Sequence, residues 1–151
     1  MLSIFKKNDK KHTTLKYDKK LISKLSKDHQ KLLELIKDTH KTIESDNIKK
    51  SKKSILKLRT AILEHCMEED IKLFLYLKKY YEEETNTLNT IKMLESTIKN
   101  IQKSTLSFLS QYSKKEAELD AEFKIKFLTV FKEFSTRIKT EESKLHTLYV
   151  K

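Results

Sequence analysis

Neither glycine nor proline occurs anywhere in the 151 residues of this chain, and tryptophan is also missing. Glycine and proline punctuate tight turns, bulges and strand edges, so their absence argues against sandwiches, barrels and doubly wound sheets. A glycine-rich loop cradling phosphate is excluded outright. Cysteine is reduced to Cys66. No internal disulfide can form, and a reducing cytoplasm is the expected compartment. No apolar run approaches the ~20 residues of a membrane span. The opening MLSIF is too short for the apolar core of a signal peptide and runs at once into KKNDKK, so it reads as a tail or a weak surface anchor.

Arginine is nearly as scarce. The formal net charge is +11, but Arg59 and Arg137 are the only arginines, and the lysines are spread along the whole chain. Arginine is the residue favoured for bidentate phosphate and guanine contacts, and polyanion recognition needs a clustered patch. A solvated lysine surface is therefore expected, not specific nucleic-acid binding. Two concentrations, Lys6 to Lys27 and KKSKK at 49–53, are candidate docking patches. A protein partner and self-association into a homo-oligomer both stay open.

What is abundant is Lys, Leu, Ile and Glu, a composition of long helices joined by short polar turns. The length fits one domain with a real core. Apolar residues recur in steps of three and four along four stretches. The first, from about Asp18 as N-cap to about Ser45, carries Ile22, Leu25, His29, Leu32, Ile36, Thr39 and Ile43. After ESDN (44–47) comes a second stripe of Ile55, Leu58, Ile62, His65, Glu69, Leu73 and Tyr76. The third, after YYEEETN, has Ile91, Leu94, Ile98, Ile101, Thr105, Phe108 and Tyr112. The fourth, after QYSKKEAE, has Phe127, Phe131, Phe134, Ile138, Glu141, Leu145 and Leu148. Each is the pattern of a helix burying one seam. The expected fold is all-α, an antiparallel up-down-up-down four-helix bundle over residues 18–151 behind a basic segment at 1–17.

Four polar residues interrupt these stripes: His29, His65, Glu69 and Glu141. A buried carboxylate without a partner costs several kcal/mol, so the four need one another or a cation. In an antiparallel bundle, reflection through the first turn sets His29 level with about residue 64, beside His65. Pairing the start of the first helix with the chain end sets it level with about residue 139, within a turn of Glu141. Three helices thus bring four polar groups to one depth. The remaining histidines, His12, His40 and His146, lie off the stripes and are expected at the surface. Cys66 points away from its neighbour His65 and reads as a structural thiol. No nucleophile–base arrangement stands out, and the chain does not read as an enzyme.

DHQKLLELI (28–36), LEHCMEEDIKLF (63–74) and RIKTEESKLHTLY (137–149) together resemble the hemerythrin-like HHE cation-binding domain, in the right order and over essentially the whole chain. The resemblance implies a four-helix bundle that holds a non-haem di-iron centre through five histidines and two carboxylates and binds dioxygen or senses iron and redox state. His29 matches the first-helix ligand, His65 and Glu69 the second-helix pair with Glu69 bridging, and Glu141 or Glu142 the fourth-helix carboxylate. The sequence departs from the pattern on the third helix, which has no histidine, and at Arg137, which stands in place of the fourth-helix histidine. With three of five histidines missing, a full di-iron centre is not expected. His29, His65, Glu69 and Glu141 suit one iron, manganese or zinc ion. Alternatively, His–Glu hydrogen bonds and an Arg137 contact satisfy the buried groups without metal. The functions that follow are a metal protein of iron, oxygen or redox response, or a metal-free regulatory module binding a protein. For the second, bacterial anti-sigma proteins of the regulator-of-sigma-D type offer a fold-level likeness, through an R-x-x-x-E-x-x-x-L closing helix that RIKTEESKL is similar to.

Overall fold

In the computed structural model, which describes residues 16–151, every element is helical. Helix α1 spans Leu21–Glu44, α2 Ile48–Glu68, α3 Leu75–Tyr80, α4 Thr85–Ser113 and α5 Ala121–Thr140. A π-helical stretch, Glu69–Phe74, joins α2 to α3 without a break, and a second, Glu141–Leu145, carries α5 into a 3-10 turn at His146–Leu148. Four rods result, matching the four apolar stripes. The basic segment expected at 1–17 lies outside the described residues as far as residue 15, and His12, MLSIF and the start of the Lys6 to Lys27 cluster lie there with it.

Local chemistry sets the turns. Asp46 adopts φ 58°, a left-handed conformation that Asp and Asn tolerate better than most residues, and the Asn47 side chain then caps α2 by accepting from the Lys50 N–H at 3.1 Å. Asp120 caps α5 the same way, accepting from the Phe123 N–H at 2.8 Å. Asp18 is not the cap expected for the first helix. It accepts from the Lys20 N–H at 2.9 Å and so closes a turn ahead of Leu21. Its own N–H is held by the Tyr149 hydroxyl at 2.8 Å, which ties it to the far end of the chain.

Cross-rod contacts fix the order of packing. Near the first turn, the Ser51 hydroxyl donates to the Thr42 carbonyl at 3.2 Å, and at the opposite end Lys24 meets Glu68 at 2.6 Å. Lys124 meets Asp46 at 2.8 Å, while Tyr149 meets Asp18. These contacts tie both ends of the first rod to the second rod and to the last. Lys52, one of the KKSKK lysines, is a latch and not a free docking charge: its ammonium donates to the carbonyls of Tyr112 (2.8 Å), Lys114 (2.5 Å) and Ala117 (2.6 Å). The carbonyls of Tyr112 and Lys114 lie at the end of α4, where intrahelical donors run out, and that of Ala117 lies in the turn that follows. Lys52→Met is expected to cost about 2 kcal/mol in urea unfolding, because several charge-assisted bonds go at once. Unchanged stability would mean that water replaces the ammonium freely.

Two apolar clusters fill the bundle. One holds Ile55, Leu58, Ile62, Leu109, Phe123, Phe127, Phe131, Phe134 and Ile138; the other holds Leu21, Leu25, Leu73, Phe74, Leu77, Ile91, Leu145 and Tyr149. Along α4 the expected stripe is rotated. Ile91, Ile98 and Thr105 are buried, but Leu94, Ile101, Phe108 and Tyr112 are only half-buried, and Leu109 is buried instead. This helix packs chiefly against α2, which draws its buried face around.

Candidate metal centre

Between the two apolar clusters lies a layer of polar side chains. His29 enters from α1, His65 from α2, Glu69 from the first π turn, Arg137 from α5 and Glu141 from the second π turn. All are buried, His29 and Glu141 completely. Helix α4 contributes Ile91, Ile98, Thr105 and Leu109 to the interior and no imidazole or carboxylate. One ligand atom from each of His29, His65, Glu69 and Glu141 lies within 4.8 Å of the others. The four residues singled out by spacing are therefore brought together.

The contacts within the layer are short. His29 Nε2 stands 2.9 Å from Glu141 Oε2 and 3.8 Å from Glu69 Oε2, and His65 Nε2 is 3.2 Å from Glu69 Oε1. Arg137 Nη2 donates to Glu69 Oε1 at 2.9 Å and forms an ion pair with Glu141 Oε1 at 2.8 Å. The His29 and His65 rings meet edge-on with centroids 4.7 Å apart. On its other side, His29 Nδ1 is 3.0 Å from Glu142 Oε1. A carboxylate accepts and does not donate, so Nδ1 carries a proton, and Nε2 is the inward-facing atom that an ion would take once that nitrogen has given up its own proton.

Charge decides what the layer can hold. Two carboxylates against one guanidinium leave one negative charge without a fixed partner, inside an apolar bundle where that is costly. Without metal, the deficit is met by protons. Burial opposes a charge on His29, but Glu141 and Glu69 outweigh it and push its pKa to about 10. Burial and the neighbouring Glu69 push Glu141 up to about 8. Burial works against ionised Glu69 too, yet its contacts to Glu141 and both histidines hold it well below the usual carboxylate range. One proton is thus shared across the two carboxyls, mainly on Glu141.

Among the described residues, the buried side-chain N and O atoms with no aligned hydrogen bond all lie in this layer: six on the four candidate ligands, Nε and Nη1 of Arg137, and Nε2 of His146. Native interiors seldom leave such atoms unpaired. The donor atoms approach one another at ion-pair distance without hydrogen-bond alignment, and two imidazoles with two carboxylates are a donor set for a divalent transition metal. The residues fit an ion.

His146, expected at the surface, is buried, its ring stacked on His29 at 5.6 Å and 6°. Burial and the charge on His29 lower its pKa. The cause is the second π turn, whose extra residue per turn swings both Leu145 and His146 inward. A signal was present. Glu69, Asp70, Lys72, Leu73 and Phe74 each have a counterpart 72 positions later in Glu141, Glu142, Lys144, Leu145 and His146. The apolar Phe74 at the matching position is the sequence feature that sets His146 apart from a surface histidine. His40 is half-buried against Phe127, with ring centroids 6.1 Å apart. Cys66 is buried, with its thiol pushed up to about 12 by burial above all, an inert structural cysteine.

Solvent approaches the layer at one edge through a groove of about 310 Å³ between α1 and α2, lined in part by Asp28, Glu64, His65 and Glu68. Lys24 crosses it, 3.2 Å from Asp28 and 2.6 Å from Glu68. Set against protein-family models, curated proteins and solved structures, the chain matches none. Among the described residues, no helix is long and apolar enough to cross a membrane.

Proposed function

We propose that this protein is a hemerythrin-like four-helix bundle that holds one divalent transition-metal ion, iron, manganese or zinc, and takes part in an iron, oxygen or redox response. The observation that carries this reading is the convergence of His29, His65, Glu69 and Glu141 within 4.8 Å while their inward atoms lack hydrogen-bond partners. An ion there supplies a Lewis-acidic or redox-active centre. The chain's own residues set its surroundings. Glu142 orients His29, Arg137 holds one oxygen of each carboxylate, and the apolar clusters keep bulk water from all but the His65 edge.

Protein purified without chelator is expected to carry no more than one iron, manganese or zinc per chain by elemental analysis, and the histidine variants His29→Ala and His65→Ala to carry markedly less. Reduced and exposed to dioxygen, it is expected to show no two-iron absorption band, since α4 offers no donor. No metal retained or rebound at micromolar concentration would sink the proposal. A second reading, a metal-free module binding a protein partner in the manner of an anti-sigma protein, is favoured by the Arg137 ion pairs. Met67, Ile71 and Leu75, exposed at steps of four along the second rod, give such a partner an apolar strip.

A further inference from the structure

The two glutamates enter the layer as members of one repeated pattern. Helix α2 with its π turn and α5 with its π turn correspond at an offset of 72: Ile62 with Phe134, His65 with Arg137, Cys66 with Ile138, Glu69 with Glu141, and Leu73 with Leu145, every one of them buried. In both rods the α-helix passes into a π turn at the glutamate. Arg137 therefore stands where the other half of the pattern has an imidazole, four residues before its carboxylate.

Its contacts are those of a counter-ion. The guanidinium holds Oε1 of Glu69 and Oε1 of Glu141 at 2.9 and 2.8 Å, while the Oε2 atoms face His29. Each carboxylate is thus turned with one oxygen to the guanidinium and one to the imidazole. Glu69 Oε1 is also 3.2 Å from His65. The Phe134 ring lies 5.3 Å from the guanidinium carbon, and Nε and Nη1 make no hydrogen bond. The two carboxylates are the charged groups that meet this guanidinium, at a residue only 2 % exposed.

We propose that Arg137 is the resident second cation of the site. Its fixed charge takes the place, between the paired carboxylates, that another metal ion would take. It thereby limits the site to one divalent ion and weakens that ion's binding. The inference rests on the single-ion reading above. Two carboxylates with Arg137 and one divalent ion carry a net charge of +1, whereas a second divalent ion beside the guanidinium would leave a triply positive buried cluster, repelled strongly at low dielectric. Arginine does not escape this by losing its proton.

The test is titration of the full-length chain with Co(II) and with Zn(II), read by cobalt absorption and by metal content after gel filtration. Wild type is compared with Arg137→Gln, Arg137→His and Arg137→Lys, each checked for helical circular dichroism. Wild type and Arg137→Lys, which keeps the charge, should saturate at one ion. Arg137→Gln should bind its ion at least about tenfold more tightly once the like charge is gone, and Arg137→His should take up two. Equal or weaker binding by Arg137→Gln, or one ion in Arg137→His, overturns the inference and leaves the single-ion reading standing. Ions bound by the uncharged variants alone support Arg137 as the occupant and overturn the single-ion reading. No ion in any protein overturns both. If Arg137→Gln does not fold, the Lys and His variants decide by stoichiometry.

Discussion

Arg137→Leu, measured in chelator at neutral pH, is expected to lose about 3–5 kcal/mol of unfolding free energy, the cost of breaking a buried ion pair from one side. The variant keeps Glu69 and Glu141 in the interior without the guanidinium that meets both, at 2.9 and 2.8 Å. The proton on His29 and the one shared by the carboxyls are then all that offsets their charge. Adding Glu69→Leu should return a large part of the loss. The double variant leaves His29 facing Glu141 at 2.9 Å, a single matched pair, and Leu fills the space of both removed chains. The coupling between positions 69 and 137 is expected at about 1–3 kcal/mol, as for residues in one network. His65 is the weaker partner of Glu69, 3.2 Å away without alignment, so the 69–137 coupling should exceed the 65–69 coupling. Strictly additive losses would mean that the carboxylates are satisfied by something other than Arg137.

Much of this arrangement is legible in the sequence because the information is periodic. Steps of three and four place Ile55, Leu58, Ile62, His65 and Glu69 on one face of the second rod, and all five are buried. A polar residue on such a face is conspicuous, which is why His29, His65, Glu69 and Glu141 stand out by spacing alone. Reflection through short turns then brings them level. Periodicity fails where the helix changes its own period. A four-residue step from Glu141 to Leu145 fits an α-helix and a π turn equally well, so the step alone does not reveal that His146 turns inward. It fails also along α4, where tertiary packing against α2 selects Leu109 over Phe108 and leaves Leu94 and Ile101 half-exposed. Arg137 is the instructive intermediate case. Its spacing to Glu141 is readable, but that one guanidinium reaches both carboxylates depends on three-dimensional positions no local pattern encodes. Lys52 is similar: its role rests on three carbonyls 60 to 65 residues away.

Metal-free protein should lose stability as pH rises above 6.5 while metal-loaded protein holds its own, and this separates the two functional readings. In the metal-free layer His29 has its pKa raised to about 10 from an ordinary 6.5. The folded state keeps a proton that the unfolded chain gives up, so the stabilisation is complete below pH 6.5 and fades as pH rises toward 10. Glu141, raised to about 8 from 4.5, acts with the same sign between those values. Glu69, held low, has the opposite sign: its contribution is present above 4.5 and is lost as the solution is acidified further. Between pH 6.5 and 8 the first two both lower stability as pH rises, and Glu69 has no further effect. An ion cancels this fall, because His29 Nε2 and the Glu141 carboxyl must shed their protons to serve as ligands, and the loaded fold then holds no more protons than the unfolded chain. Apparent affinity should then climb about tenfold per pH unit for each proton displaced. The melting temperature with one equivalent of Zn(II) or Co(II) should therefore pull away from that in chelator as pH goes from 6 to 8.5, and the two should nearly coincide at pH 5. Calorimetric binding in buffers of different ionisation enthalpy should register the released protons directly. A gap that stays constant or narrows with rising pH, with no proton release, would place any bound ion away from His29 and Glu141. Falling stability toward pH 8.5 with no response to added ions at any pH would leave a layer satisfied by Arg137 and shared protons alone, and the metal-free module would then be the function to pursue.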